Sequence, residues 1–173
     1  AVFAVFTVMP NVQERFTKSI VHSLPTGPHS DYYMVMGAGL MVFESSPALG
    51  IGPATHRELC SQIIGEVKDF RCDNHPHNFY IQLLAETGFI GLVAGILMIA
   101  AITWTAFSGW RENRSNVVAA TAFVIPFGLF FPIQSTGDYF GQWNNIFMWS
   151  AIALALAAAR TLTADQKKKR SSH

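Results

Sequence analysis

The chain has 173 residues, of which 50% are hydrophobic and only 13% are charged, and its formal net charge is +1. The charged fraction is about half of the roughly 25% that soluble domains carry, and the apolar residues lie in blocks. A soluble all-helical protein is the rival interpretation, but it would have too little polar surface around those blocks. We therefore predict an all-α membrane protein. The near-neutral charge gives no basis for a nucleic-acid partner.

The beginning of the chain, AVFAVFTVMP, has the apolar composition of a membrane-spanning helix. It lacks the charged start and the small-residue cleavage site of a signal peptide. We therefore predict that residues 1–9 are the end of a transmembrane helix. On this interpretation the chain is the C-terminal part of a longer polytopic protein, and residues 10–88 form a long loop between membrane spans.

The long loop contains a predicted helix and a predicted turn. Residues 31–44 have apolar side chains at helical spacing, which predicts a helix that lies at the membrane interface or packs on its neighbours. Gly50 and Gly52 are followed by a proline in SSPALGIGPATHREL, which predicts a tight turn with backbone angles that glycine adopts readily. A phosphate-binding role for the GxG pair is the alternative.

Cys60 and Cys72 are the two cysteines of the chain, and both fall in the long loop. In an oxidising compartment such a pair can close a small loop as a disulfide. The alternative is a pair of free, buried thiols. A metal site is not expected, because no CxxC or HxxxH spacing accompanies the two cysteines.

The stretch CDNHPHNFYIQLLAETG brings two histidines to the start of a predicted helix. Asp73 or Asn74 is predicted to cap that helix, with Pro76 in its first turn. His77 then faces an apolar side of the helix, while His75 belongs to a polar stripe. The helix dipole and the apolar surroundings both favour a neutral imidazole, which is the form that a general base requires. The alternative is a structural histidine bonded to a loop carbonyl.

Three charge-free blocks follow this helix, and each is close to the roughly 20 apolar residues that a bilayer crossing needs. We predict three spans, at residues 89–107, 117–134 and 143–159. The connectors and the tail are then residues 108–116, 135–142 and 160–173. A transporter or channel subunit would be expected to carry ionisable residues within such spans, and these three blocks carry none.

The distribution of charge predicts the orientation of the chain. Residues 108–116 and 160–173 together hold seven basic and two acidic residues, whereas residues 10–88 and 135–142 hold five basic and nine acidic ones. Positive charge concentrates on the cytoplasmic side of membrane proteins. We therefore predict a polytopic transmembrane helical bundle with a helical periplasmic loop at residues 10–88 and a cytoplasmic tail.

The histidine stretch resembles the signature of the O-antigen ligase and polymerase superfamily of bacterial inner membranes. That signature is a His followed by Asn, Ser or Gln, with an apolar residue, usually Leu, four positions after the His and a Gly eleven after it. The matching residues are His77, Asn78, Ile81 and Gly88. ESSPALGIGP is similar to the family's turn before the last helices of its periplasmic loop, and AETGFIGL is similar to its entry into the next span. The resemblance covers roughly residues 30–105.

The resemblance implies a metal-independent glycosyltransferase that uses no cofactor and is surrounded by membrane lipids. Its expected donor is a glycan on undecaprenyl pyrophosphate, and a ligase attaches that glycan to the lipid A–core oligosaccharide during lipopolysaccharide biosynthesis. His77 is expected to take the proton of the acceptor hydroxyl. Arg57 and Arg71 are expected to bind the pyrophosphate, since the arginine fork matches phosphate oxygens. His75 and Asn78 are expected to lie beside them as further substrate-binding residues.

Several alternatives stay open, because the signature does not distinguish acceptors. A polymerase of the same superfamily transfers the glycan to another lipid-linked repeat unit, and a protein O-oligosaccharyltransferase transfers it to a Ser or Thr hydroxyl. Outside enzymes, an envelope transporter or scaffold subunit is the alternative, and a scaffold predicts that His77→Ala leaves surface glycan intact. The family often carries an arginine near the position of Asp31. This chain has none there, so its phosphate clamp is built differently or lies before the chain begins.

Overall fold

The computed structural model describes residues 14–15, 18–19, 30–65, 67, 69–72 and 74–171, with the helix backbone alone at residues 165–170. In this described part five helices have defined ends and no residue is in a strand: α1 (Asp31–Ser45), α2 (His56–Ile64), α3 (Phe79–Glu112), α4 (Val117–Leu129) and α5 (Gln142–Ser171). The all-α prediction is confirmed, and α1 confirms the helix expected at residues 31–44. The transmembrane end expected at residues 1–9 lies outside the described residues.

The helices α1 and α2 pack on the first turns of α3. A cluster of small, fully buried side chains lies between the three helices: Ala38, Val42, Cys60 and Ala85. Their small size allows the three helix backbones to approach closely. Cys60 is joined to Cys72 by a disulfide, with their Cα atoms 5.5 Å apart. The bond ties α2 to the segment that leads into α3, so the starts of α2 and α3 are held in one unit.

The helix α3 is interrupted at Gly88, which has φ 66° and ψ −170°. The interruption frees the N–H groups that follow it, and the loop before α2 satisfies them: Phe89 N–H donates to the carbonyl of Pro47 at 2.8 Å. A Cβ atom at Gly88 would lie 2.4 Å from the backbone of Ala48. Gly88 therefore permits both the positive φ and the close approach of the two chains.

The glycine turn docks into that interruption from the other side. Gly50 and Gly52 have φ values of 69° and 108°, which confirms the turn expected there. The N–H of Gly52 donates to the carbonyl of Glu86 at 2.9 Å, and the N–H of Ile51 donates to the carbonyl of Ala85 at 3.2 Å. The turn thus bonds carbonyl groups that the broken helix leaves free, and it fixes the residues just before α2.

The start of α3 differs from the sequence-based expectation. A cap at Asp73 or Asn74 is wrong, because the N-cap is Asn78, whose side-chain oxygen accepts hydrogen bonds from the N–H groups of Tyr80 and Ile81. His77 precedes the cap with φ 54°, in the left-handed region, and therefore lies outside the helix rather than in its first turn. Local capping by the second asparagine of the stretch decides this start.

Two helices, α3 and α5, are long and apolar enough to cross a membrane. The third predicted span, residues 117–134, is helical only in its first part, because α4 ends at Leu129. Pro126 inside α4 cannot donate a backbone hydrogen bond, and Pro132 disfavours helical angles in the residue before it. The remaining residues of the block form turns on the path to α5.

The helices α3, α4 and α5 pack on one another and turn large apolar side chains outward. Their shared core contains Phe79, Ile99, Phe130, Met148 and Ile152. The outward faces carry exposed apolar residues along all three helices: Ile96, Leu97, Val124, Phe127, Phe147 and Leu154. A surface of this kind is typical of helices that lie in lipid, and the structure is that of a membrane protein.

Candidate functional site

His77 lies where the start of α3 meets the connector between α4 and α5, residues 130–141. Its carbonyl accepts a hydrogen bond from the N–H of Thr136 at 2.9 Å. Its ring is half-buried, with the ring of Tyr32 in edge contact at 5.7 Å and the ring of His75 at 4.3 Å between centroids. A left-handed backbone at a residue other than glycine costs about 1–3 kcal/mol and is typical of functional sites.

A chain of two side-chain hydrogen bonds leads from Arg57 to the His77 ring. Arg57 Nη2 donates to Asn74 Oδ1 at 3.0 Å, and Asn74 Nδ2 donates to His77 Nε2 at 2.9 Å. The N–H of His75 also donates to Asn74 Oδ1, at 3.0 Å. Because two N–H donors hold that oxygen, the amide nitrogen must face His77. His77 Nε2 is then an acceptor, and the ring carries its proton on Nδ1.

His75 has a different task from His77. Its Nε2 donates to the carbonyl of Thr136 at 3.0 Å, so its ring ties the histidine segment to the connector at residues 130–141. Together with the bond from the N–H of Thr136 to the carbonyl of His77, this clamps both histidines onto one residue of the connector. The structure brings the two imidazoles together but gives only His77 a ring nitrogen that accepts a side-chain donor.

Two other predicted site residues, Asn78 and Arg71, already have hydrogen-bond partners within the chain. Asn78 is buried, and its amide is occupied at both ends by backbone groups, with Nδ2 donating to the carbonyl of Pro132 at 2.8 Å. Its observed role is to cap α3 and to hold the connector. Arg71 is exposed and donates to the carboxylate of Asp31 at 2.9 Å. Arg57 is therefore the predicted phosphate ligand that lies nearest to His77 through observed bonds.

A buried polar group supports the site from beneath. Glu86 is 1% exposed, and its carboxyl oxygens accept hydrogen bonds from the backbone N–H groups of Ala54 and His56. Gln82, also buried, donates from Nε2 to Asp138 Oδ1 at 2.7 Å and accepts from the N–H of Tyr139 at 2.8 Å. These contacts join α2, α3 and the connector beside the histidines.

Burial shifts the pKa values of several groups in and around this polar cluster, and it raises the pKa of the Glu86 carboxyl. Burial lowers the pKa of His56 from 6.5 to about 4, and the nearby His75 acts in the same direction. The backbone of Asn74 and the Asp138 carboxylate oppose the shift, although neither ring nitrogen of His56 has a hydrogen-bond partner in the described part. Burial also raises the pKa of Tyr139. His56 is therefore a neutral ring at the start of α2.

Sequence reasoning named His77 and Arg57 but missed Asn74 and Glu86 as site residues. Asn74 stood in the motif as a predicted helix cap, and only the three-dimensional fold brings its amide between the guanidinium and the imidazole. Glu86 carried a usable signal, since an acid next to an apolar block needs a polar partner if it is buried. Within the described residues, no three His, Cys, Asp or Glu side chains are grouped as a metal site.

The fold and the site define a class: an all-helical membrane protein with a polar, histidine-centred site next to its apolar helices. The family model described as O-antigen ligase matches residues 1–96, more than half of the chain. The chain belongs to the O-antigen ligase family. No curated protein and no solved structure matches it.

Proposed function

We propose that this chain carries the transfer site of an O-antigen ligase-type glycosyltransferase. The enzyme moves a glycan from undecaprenyl pyrophosphate to a hydroxyl of the lipid A–core oligosaccharide. The observation that carries the proposal is the Arg57–Asn74–His77 chain, which places an exposed cation two hydrogen bonds from a ring nitrogen that accepts a proton donor. Membership of the O-antigen ligase family supports the reaction class.

In the proposed reaction, the oxygen of the acceptor hydroxyl attacks the anomeric carbon of the lipid-linked glycan. The bond between that carbon and the pyrophosphate oxygen breaks, and its electron pair leaves with the pyrophosphate. The acceptor hydroxyl replaces the Asn74 amide as the partner of His77 Nε2 and gives its proton to that nitrogen. His77 is an imidazolium at the end of the step and releases the proton to water as the products depart.

Arg57 is proposed to bind the pyrophosphate of the donor. Its side chain is exposed and uses Nη2 for Asn74, so the rest of its guanidinium fork faces solvent. A planar guanidinium binds phosphate oxygens in pairs and stabilises the charge that the leaving group gains. Arg71, which was expected to share this task, holds the Asp31 carboxylate and is placed by the proposal at the edge of the donor site.

The proposal includes the arrangement of the chain in the bacterial inner membrane. The part of α3 beyond Gly88, then α4 with its flanking turns, and then α5 cross the membrane in turn. The loop at residues 10–88, which holds His77, lies in the periplasm. The charge asymmetry of the connectors supports this orientation, because the loop at residues 108–116 and the tail at residues 160–173 carry the excess of basic residues.

Complementation of two bacterial strains, one lacking its ligase and one lacking its polymerase, tests the proposed function. We expect the protein to restore polymer on lipid A in the ligase-null strain, and we expect His77→Ala and Arg57→Ala to leave lipid-linked polymer unattached. Arg160→Ala is the matched control, since Arg160 is also exposed but lies on α5, away from the histidine segment. Rescue of the polymerase-null strain instead would assign the polymerase reaction. Intact glycan with His77→Ala would overturn the catalytic role of this ring.

A further inference from the structure

Glu86 lies beneath the transfer site and touches neither His77 nor Arg57 in any observed bond. We infer that Glu86 is a positioning residue, which holds Arg57 and Asn74 in register with the His77 ring through the start of α2. The inference rests on the proposed function and deepens it, because it assigns the group that sets the distance between the base and the cation.

The contacts of Glu86 all require an acceptor. Its Oε2 accepts from the N–H of Ala54 at 2.5 Å, and its Oε1 accepts from the N–H of His56 at 3.3 Å. Gln82 Nε2 lies 3.4 Å from the same Oε1 atom. With 1% of its surface exposed, the residue has no access to solvent that could replace these partners. A buried carboxyl group is thus surrounded by N–H donors from two segments of the chain.

Glu86 does for α2 what an N-cap residue ordinarily does. The first N–H groups of any helix lack partners within the helix. The residue at the cap position, Thr55, makes no capping bond with its side chain. Glu86 reaches across from α3 and bonds the N–H of His56, the first residue of α2, where the positive end of the helix dipole also favours an acid.

The start of α2 is connected to His77 by the next two bonds. Arg57 is the second residue of α2, and its Nη2 atom holds Asn74, which in turn holds the His77 ring. His77 and Glu86 are themselves joined through the first turns of α3. The contacts therefore form a ring, with a rigid helix on one side and α2 on the other. Glu86 supplies the side-chain contact of that ring with the first N–H of α2, next to the backbone contacts of the glycine turn.

A substitution at Glu86 opens this ring without touching the cap of α3. In Glu86→Gln, the amide NH₂ group meets an N–H donor whichever way the amide turns, because Ala54 and His56 donate to opposite oxygens. The start of α2 then shifts, and Arg57 no longer orients the Asn74 amide. Glu86→Asp keeps both acceptors but is one methylene shorter, so we expect it to give an intermediate result.

Nitrogen-15 NMR of histidine-labelled protein in lipid nanodiscs tests the inference without any assay of transfer. We expect His77 Nε2 to resonate as an unprotonated nitrogen in the native protein and to average between the two tautomers in Glu86→Gln. The matched control is Glu112→Gln, at the exposed far end of α3, which keeps the native spectrum. A native His77 spectrum in both Glu86→Gln and Glu86→Asp would overturn the inference, even if either variant lost stability.

Transfer kinetics of the purified protein supply the second readout. We expect Glu86→Gln to lower kcat/KM by about tenfold or more. In a protein that already carries Arg57→Ala, we expect the same substitution to lower kcat/KM by less than about twofold, because the effects of substitutions at residues that act through one another are not additive. Independent, additive losses would overturn the positioning role. Full activity of His77→Ala would refute the proposed function, and the NMR result would then still decide whether Glu86 fixes the His77 ring.

Discussion

At the scale of single residues, the Asn74 amide determines which nitrogen of His77 is the hydrogen-bond acceptor. Replacing Asn74 by Asp puts only acceptor atoms against His77 Nε2, so the ring must present an N–H there and, in the proposed reaction, cannot take the proton of the acceptor hydroxyl. We expect Asn74→Asp to lower kcat by about 10²-fold or more, which is the usual contribution of a positioned general base. Single-turnover transfer by the purified variant measures it.

Asn116→Asp is the control for that substitution. Asn116 caps α4 by accepting the N–H groups of Val118 and Ala119, and an aspartate caps a helix equally well. We expect unchanged transfer and unchanged abundance for this variant. A loss of activity that was equal in the Asn74 and Asn116 variants would show that added negative charge, rather than the lost amide donor, is responsible.

The buried imidazole of His56 makes the stability of the protein depend on pH. Burial lowers the pKa of His56 from 6.5 to about 4, so the unfolded chain binds a proton at pH values where the folded chain does not. The contribution of His56 to stability is therefore complete above pH 6.5 and falls as the pH is lowered towards 4, by about 3 kcal/mol in all. Thermal unfolding in detergent across this range measures the loss.

His56→Phe isolates the contribution of this ring to the pH dependence. The phenyl ring is larger than the imidazole but carries no titratable nitrogen, so we expect a flatter dependence of Tm on pH between 6.5 and 4 than in the native protein. An unchanged slope would assign the acid sensitivity to other groups. The result bears on α2 directly, because His56 is its first residue.

At this scale, much of the candidate site could be predicted from the sequence. The residues that were missed were missed for one shared reason. His77 and Arg57 are chemically recognisable, because imidazole and guanidinium have few rivals as base and phosphate ligand. Asn74 was not recognised as part of the site, since an asparagine before a helix is most often a cap. Its partner Arg57 is 17 residues away in the sequence, and the tertiary fold, with the Cys60–Cys72 disulfide that ties α2 to the histidine segment, brings the two side chains together.

At the scale of elements, the interruption of α3 depends on Gly88. A Cβ atom there would overlap the backbone of Ala48, and φ 66° is strained for any other residue. We expect Gly88→Ala to lower the free energy of unfolding by at least about 2 kcal/mol. In Gly128→Ala the added Cβ meets no atom within 4 Å, and the helix interior favours alanine, so we expect no loss. Thermal shifts of both variants give the comparison, and equal shifts would contradict it.

The disulfide between Cys60 and Cys72 joins the two elements that carry Arg57 and Asn74. In the chain-entropy model, a covalent loop of this size stabilises a protein by about 3 kcal/mol. We expect reductant to lower Tm and to slow transfer, because Asn74 follows Cys72 by only two residues. A variant with serine at both cysteines should show the same lowered values and no response to reductant. A response of the double variant would trace the effect to some other target.

Helices and turns could be predicted where sequence periodicity or composition determines them. Their ends could not be predicted where individual hydrogen bonds determine them. The helix at residues 31–44 and the glycine turn followed from spacing and from glycine itself. The start of α3 was misplaced because two asparagines, Asn74 and Asn78, are equally suited to capping, and tertiary contacts from Pro132 favour the second. The length of α4 was overestimated, since an apolar block extends through Pro126 and Pro132 while the helix ends between them.

At the scale of the whole molecule, the contacts of the connector at residues 130–141 bear on the number of crossings in the proposed membrane arrangement. The helix α4 is about 20 Å long, which is less than the roughly 30 Å of a hydrocarbon core. Its following connector nevertheless bonds the carbonyl of His77 through Thr136, at the start of α3. The chain therefore returns to the histidine end of α3 before α5 begins, and in the proposed membrane arrangement α4 with its flanking turns makes a complete crossing.

That return predicts the sides on which two exposed serines lie. Ser115, between α3 and α4, should be cytoplasmic, and Ser135, one residue before Thr136, should be periplasmic with His77. We expect a membrane-impermeant maleimide to label Ser135→Cys in intact spheroplasts and to label Ser115→Cys only after permeabilisation. The native cysteines are bonded to each other and give little background. Labelling with the sides exchanged would put His77 in the cytoplasm, away from a periplasmic acceptor. Labelling of both serines from one side would mean that α4 does not cross, in conflict with the bonds that Thr136 makes to the histidine segment.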